Sequence, residues 1–356
     1  MEINLNYKTI SKSSDVYFIA DIAANHDGDL SRAKDLIYLA KEAGADCAKF
    51  QHFKAENIVS DKEFQGLNKT LHTHQSKWKK SVASVYDQYH TRDEWTQELV
   101  DTCKDANIEF MTTPYDLEAV EKYSRYCHAL KIGSGDITFH QIIKKACETG
   151  LPILIASGAA DLSDTEKAVN LIRESGNPFC LFQCNTNYTG DIENFRYVNL
   201  NVLKQFSLSF PEAILGLSDH TPGHAAVLGA VALGAKVIEK HFTDDNDRIG
   251  PDHKFALNPV SWRDMVDRTR ELELAMGDGI KRIELNETNT FIVQRRAICA
   301  GKDLKQGHVI QKTDLKYLRP CSSDAFMPYQ EKDIIGKKLL TDLQKDQTIL
   351  KCKITS

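Results

Sequence analysis

Residues 213–242 read AILGLSDHTPGHAAVLGAVALGAKVIEKHF. The run 213–218 is almost continuously apolar, as in a strand buried on both faces. A turn at Thr221, Pro222 and Gly223 follows, then a helical stretch over 223–234, then a second apolar run over 237–241. Working outward, the same alternation recurs. Further strand-like runs fall at 16–22, 46–51, 109–113, 129–133, 152–157 and 179–184, and helical spacing at 30–43, 92–106, 117–125, 140–149, 163–174, 201–207 and 259–276. Leu36, Leu39 and Ala40 repeat at i, i+3, i+4. Ser163 with Glu166, and Thr91 with Glu94, have capping-box spacing. Eight βα units over roughly 275 residues predict an α/β fold of the TIM (β/α)8 barrel type.

Two segments fall outside that rhythm. Residues 53–90 form a polar excursion carrying Trp78, Tyr86 and Tyr89, far longer than the usual 2–6 residue βα loop. It leaves the carboxyl end of the second strand, where it would serve as a lid, a dimer contact or an inert insertion. After Met276 the chain becomes polar and Gly-bearing, and short apolar runs then alternate with Gly301, Gly307, Pro320, Pro328 and Gly336. The predicted organisation is a barrel over 1–280, a linker over 281–295 and a small loop-rich domain over 296–356.

Composition narrows the function classes. The chain has 356 residues, 42% hydrophobic and 27% charged, which excludes disordered and fibrous classes. A net charge of -5 with both signs interspersed offers no basic track for nucleic acid. The most apolar stretch, around 225–238, is broken by Gly229 and Gly234 and is too short to span a bilayer. The polar start MEINLNYKTI lacks the apolar core of a secretion signal, so a cytoplasmic location is expected. Nine cysteines with no CxxC read as buried thiols.

In a TIM barrel the active site forms at the carboxyl ends of the strands. The residues closing the eight runs include Asp21, Asn25 and His26; Lys49 and Gln51; Thr113; Lys131, Ser134 and Asp136; Ser157; Asn185, Thr186 and Tyr188; Ser218, Asp219 and His220; and Glu239 and His241. Lys49, Lys131, Ser134, Thr113 and Ser218 supply donors suited to a phosphate or carboxylate, and Gly133 and Gly135 allow close backbone approach. Left without a ligand, the charges would be uncompensated, which points to an anionic substrate. His220 and His241 close neighbouring strands and could share one divalent ion, leaving positions open to water or substrate. Asp21, Asp136 and Asp252 are the acidic candidates. His26 could act as a base or hold its loop, and Asp27 and Asp219 read as loop caps.

The ordered motifs NHDGDL, KFQ, TTPYD, KIGSGD, GLSDHT, EKHF and RIGPDH closely resemble the sialic acid synthase family, phosphoenolpyruvate-condensing enzymes that make nonulosonic acids. The stretch RAICAGKDLKQG at 296–307, through Leu318, Arg319 and Pro320, resembles that family's antifreeze-like (SAF-type) domain. The resemblance implies a barrel followed by that domain, in a domain-swapped homodimer. It implies a divalent metal held by His220 and His241, usually Mn2+, with Mg2+ or Co2+ as alternatives. It implies phosphoenolpyruvate on Lys49, Thr113, Lys131, Ser134 and Ser218. An N-acyl-mannosamine-like sugar would then meet Gln51, Tyr188, Asp252 and the partner's Arg319, and Thr186, where some members carry Asn, is a further substrate-binding candidate. Asp21 or Asp136 would stabilise a cation at carbon two or activate the water that captures it. Both stand where the family frequently has Glu. The sugar is left open between N-acetylmannosamine and a 2,4-diacetamido-2,4,6-trideoxyhexose. The competing readings are a keto sugar acid synthase acting on a phosphorylated aldose, and a non-catalytic glycan-binding protein.

Overall fold

The computed structural model describes residues 1–67 and 75–355. Eight parallel strands close into a barrel: β1 (Tyr17–Asp21), β2 (Cys47–His52), β3 (Glu109–Pro114), β4 (Leu130–Ile132), β5 (Ile153–Ala156), β6 (Phe179–Cys184), β7 (Ile214–Asp219) and β8 (Ala235–His241). The last closes on the first with His241 beside Asp21. These are the expected strands, shifted at their ends by two residues at most, the normal scatter of element boundaries. The helices α1 (Leu30–Glu42), α2 (Thr96–Asp105), α3 (Leu117–Tyr123), α4 (His140–Cys147), α5 (Leu162–Ser175), α6 (Val202–Ser209), α7 (Ala225–Ala232) and α8 (Pro259–Met276) alternate with them.

Each strand faces two cores. Ile19, Cys47, Met111, Leu154, Phe182, Ile214 and Val237 belong to a cluster without helix residues, which fills the barrel. Phe18, Ala48, Phe50, Leu130, Ile155, Leu181, Leu217 and Ile238 pack with the helices instead. Their alternation is the period of two that sends successive side chains to opposite faces. The helices answer with stripes such as Ala33, Leu36, Ile37 and Ala40 of α1, spaced i, i+3, i+4, i+7.

Three details depart from the sequence reading. At α5 the cap is Asp161, whose carboxylate accepts from the Asp164 amide, so Ser163 lies inside the first turn and forms no capping box with Glu166. The helix starts earlier than expected, and an acidic cap there also suits the helix dipole. Thr91 is not a cap either: the turn Asp93–Trp95 follows Arg92 without a side-chain bond, and buried Thr91 leaves its Oγ1 unpartnered among the described residues. A true capping box joins Asn258 and Ser261 ahead of α8. The third departure lies in MEINLNYKTI, where Ile3–Asn4 and Thr9–Ile10 form an antiparallel pair. It buries Ile3 and Ile10 in the barrel cluster, and the Asn6 amide donates to Glu109, the first residue of β3. The pair therefore sits at the amino ends of the strands.

Among its described residues the excursion at 53–90 contains three short α-helices, Ala55–Ile58, Asp61–Leu67 and Val82–Tyr89, and a 3-10 turn at Gln75–Lys77, while 68–74 lie outside the described residues. Two compact units divide the chain, Met1–Gly277 and Asp278–Ser356. In the second, β9 (Ala297–Ala300) pairs antiparallel with β10 (Leu315–Leu318) over a core of Ile298, Leu304, Ile310, Phe326, Leu339 and Ile349. The stretch read as a linker holds a helix, Thr288–Gln294. All nine cysteines are free thiols, eight of them buried and Cys352 exposed. Among the described residues, no helix is long and apolar enough to cross a membrane.

Candidate active site

A cavity of about 460 Å³ opens at the carboxyl ends of the barrel strands. Its lining includes Asp21, Lys49, Gln51, Thr113, Lys131, Ser134, Asp136, Thr186, Tyr188, Ser218, His220, His241 and Asp252, the first-unit candidates of the sequence analysis other than His26. Arg319 is exposed in the second unit, directly after β10. Register explains the convergence. Asp21 lies beside Lys49 and His241, Gln51 beside Thr113, and Ser218 beside Glu239, so inward-pointing positions on adjacent strands share one level of the barrel.

The floor is a buried network of four charges. Lys49 Nζ is 2.8 Å from Asp21 Oδ2, donates to Thr113 Oγ1 at 3.1 Å and lies 4.0 Å from Glu239. Lys131 Nζ donates to Glu239 Oε1 at 2.6 Å and rests over the Phe182 ring, and Ser218 Oγ donates to the same carboxylate at 3.1 Å. Burial alone would raise the Glu239 pKa, but Lys131 and then Lys49 hold it down at about 2. Burial likewise works against the Lys49 ammonium, while Asp21 and Glu239 more than offset it and raise its pKa.

This corrects one expectation: the two lysines are compensated within the protein. An anion would therefore meet the ammonium N–H donors left over after one bond to Glu239 and two to Asp21 and Thr113, together with nearby hydroxyls. The buried side-chain atoms here without a hydrogen-bond partner among the described residues are Asp21 Oδ1, Glu239 Oε2 and His241 Nδ1.

The imidazole rings of His220 and His241 are 5.4 Å apart between centroids. His220 Nδ1 lies 3.0 Å from the Asn185 carbonyl oxygen, which can only accept, so Nδ1 carries a proton. Burial works against the charged ring, but the Cys184 thiol and that carbonyl more than offset it and raise the His220 pKa. Burial lowers the His241 pKa despite Asp21 and Asp252 at 3.9 and 3.8 Å, leaving that ring neutral at neutral pH. Two imidazoles beside a buried carboxylate oxygen without a hydrogen-bond partner are a donor set that fits a borderline divalent ion, which would take His220 in its unprotonated form. Among the described residues, no group of three or more His, Cys, Asp or Glu side chains is arranged to hold a metal. The remaining coordination positions would fall to water or substrate, as in open catalytic sites.

Above the floor, the Gln51 amide nitrogen donates to Asp21 at 3.0 Å, and the Tyr115 hydroxyl donates to Gln51 Oε1 at 3.3 Å. Ser134 Oγ accepts from the Gly158 amide, and a Cβ at Gly158 would fall 2.0 Å from Thr186 Oγ1 and 2.7 Å from Ser134 Oγ, so only glycine leaves room for both side chains. Phe53, Trp78, Tyr86 and Tyr89 from the excursion make an aromatic wall. His26 stands outside this lining; it is fully buried, accepts the Gly28 amide on Nδ1 and packs edge-on against Trp95, so it holds its loop. Asp27 ties that loop to Arg248 and His253.

Asp136, in the turn after β4, has its pKa pushed up to about 6 by burial. The folded protein thus holds a proton that the unfolded chain, near 3.8, releases sooner. The resulting stabilisation is fully present below the unfolded value and is lost as pH rises through about 6. Asp136→Asn should therefore melt higher than the native protein at pH 8 and lose that advantage at pH 4, as thermal unfolding at the two pH values would show.

The NeuB family model matches residues 36–281, and the SAF domain model matches residues 295–354. The chain belongs to the NeuB family. It is 35% identical over 335 residues to N,N'-diacetyllegionaminic acid synthase of Campylobacter jejuni, covering 93% of this chain and 98% of that protein. It is 32% identical to human N-acetylneuraminate-9-phosphate synthase, over 94% and 91% of the two chains. The crystal structure of N-acetylneuraminic acid (sialic acid) synthetase from Leptospira borgpetersenii, in complex with citrate, matches with a TM-score of 0.72 at 27% identity, covering 82% of this chain and 95% of that one. This NeuB protein is an enzyme of the sialic acid synthase type, a TIM barrel followed by a SAF domain.

Sequence reading assigned no role to Glu239, which structure places at the centre of the NeuB floor network. Its signal was parity: Glu239 precedes His241 by two on the same strand and must share its face. The aromatic wall was visible only as residue types, since nothing in sequence says which side of an excursion faces the mouth.

Proposed function

We propose that this NeuB enzyme condenses phosphoenolpyruvate with an open-chain, unphosphorylated N-acyl-mannosamine-like sugar, releasing phosphate and an α-keto nonulosonic acid. The supporting observation is the juxtaposition, in one cavity, of a lysine and hydroxyl floor with a pair of imidazoles. The described lining carries two lysines, both at the floor, and no arginine; a sugar phosphate would call for a second cationic cluster.

Lys49, Lys131, Thr113, Ser134 and Ser218 bind and orient the phosphoenolpyruvate anion, while Gln51, Thr186, Tyr188 and Asp252 face the sugar. His220 and His241 would hold the divalent ion, Mn2+ by choice with Mg2+ or Co2+ as substitutes. When bound, that ion supplies Lewis acidity toward the sugar aldehyde. Carbon three of phosphoenolpyruvate forms the new bond to the aldehyde carbon as both π bonds open, leaving cationic character at carbon two and an alkoxide at the former aldehyde oxygen that takes its proton from water. Asp21, with Oδ1 unpartnered at the floor, stabilises that charge. Asp136 takes the proton of the water that adds there, its raised pKa suiting a base near neutrality. Collapse to the keto acid expels phosphate by cleavage of the C–O bond.

The enzyme is further proposed to be cytoplasmic and to act as a domain-swapped homodimer in which Arg319 of the SAF domain serves the sugar of the other protomer. Phosphoenolpyruvate labelled with oxygen-18 at the bridging position tests the chemistry. Label recovered in inorganic phosphate supports C–O cleavage, and label in the keto acid would overturn it.

A further inference from the structure

The two site histidines are each preceded in sequence by a charged residue, Asp219 before His220 and Lys240 before His241. These two are register partners on β7 and β8. Glu239 and His241 line the cavity, so the alternation of the strand sends Lys240 to the opposite face of the wall. There the Lys240 and Asp219 side chains are 1% and 2% exposed, among helix-facing residues such as Leu217 and Ile238. Lys240 Nζ donates to Asp219 Oδ2 at 2.5 Å and to the Thr221 carbonyl at 2.6 Å. The Asp219 carboxylate accepts from the Thr221 amide at 3.0 Å and from the Thr221 hydroxyl at 2.9 Å. Both neighbours of His220 are thus tied to each other and to the residue before His241.

A buried ion pair is a weak device for stability, because an apolar pair of similar volume is commonly as stable or more so. What charge adds at this position is direction. Lys240 can reach both the strand end and the carbonyl beyond His220 only when the two strands keep one separation, and the Asn185 carbonyl then orients the His220 ring. We infer that Lys240, Asp219 and Thr221 form a positioning staple, behind the barrel wall, that sets the His220 and His241 imidazoles at the spacing one divalent ion requires. The inference rests on the metal reading above.

The test titrates Mn2+ into the full chain, following free Mn2+ by electron paramagnetic resonance, with thermal unfolding measured in chelator. The double variant Lys240→Met with Asp219→Leu should melt close to the native protein and bind Mn2+ about 10- to 100-fold more weakly, the usual range for partners that orient metal ligands. Thr221→Val, matched in volume, should weaken binding severalfold and decides the matter alone if the double variant fails to fold. Native Mn2+ affinity in a folded double variant, or in Thr221→Val where only that folds, would overturn the staple while leaving the metal site standing. Native protein that binds no Mn2+ would overturn the metal reading and the staple with it.

Discussion

Lys131→Met should abolish measurable phosphoenolpyruvate binding and destabilise the fold by about 3–5 kcal/mol, the usual penalty for stranding one partner of a buried ion pair. Glu239 is buried, held at about 2 chiefly by Lys131 against its own burial, and its Oε2 already lacks a hydrogen-bond partner among the described residues. Only the more distant Lys49 and the Ser218 hydroxyl would remain beside it. Adding Glu239→Gln should restore most of the stability, because the stranded charge is gone, yet restore none of the binding. Urea unfolding and calorimetric titration with phosphoenolpyruvate separate the two effects. Native affinity in the single variant would remove Lys131 from the anion site.

The second large effect concerns the imidazoles. His220→Ala and His241→Ala should each lose the stoichiometric divalent ion after dialysis and lower kcat by at least about 10³-fold, since Lewis acid assistance amounts to several kcal/mol of the barrier. The fold should survive either change, because neither ring is part of the floor ion pairs and both stand at a cavity wall. Metal content by elemental analysis, read beside thermal unfolding, checks both statements. Unchanged metal in both variants would place the ion elsewhere.

Much of the fold was legible because strands buried on both faces write themselves as short continuous apolar runs, and the turn residues between them leave little choice of boundary. Once the barrel was read, the rule that chemistry gathers at strand carboxyl ends brought thirteen named residues to one cavity. What stayed hidden depended on contacts distant in sequence. Lys131 and Glu239 are 108 residues apart, and without that pair the lysines looked uncompensated. Ile3 and Ile10 are too few in a polar decapeptide to announce a strand pair, although together they reach the barrel core. Ser163 lost its expected cap to Asp161, two residues earlier, because capping depends on where the helix begins as well as on residue type. Arg319 carried no local signal of its role and entered only through family resemblance.

The condensation itself is tested most directly by phosphate release from phosphoenolpyruvate, with Mn2+ present, across a panel of N-acetylmannosamine, 2,4-diacetamido-2,4,6-trideoxyhexoses and phosphorylated aldoses. Release with one unphosphorylated N-acyl sugar, abolished by chelator, is the predicted result. Release confined to a phosphorylated aldose would contradict the proposal.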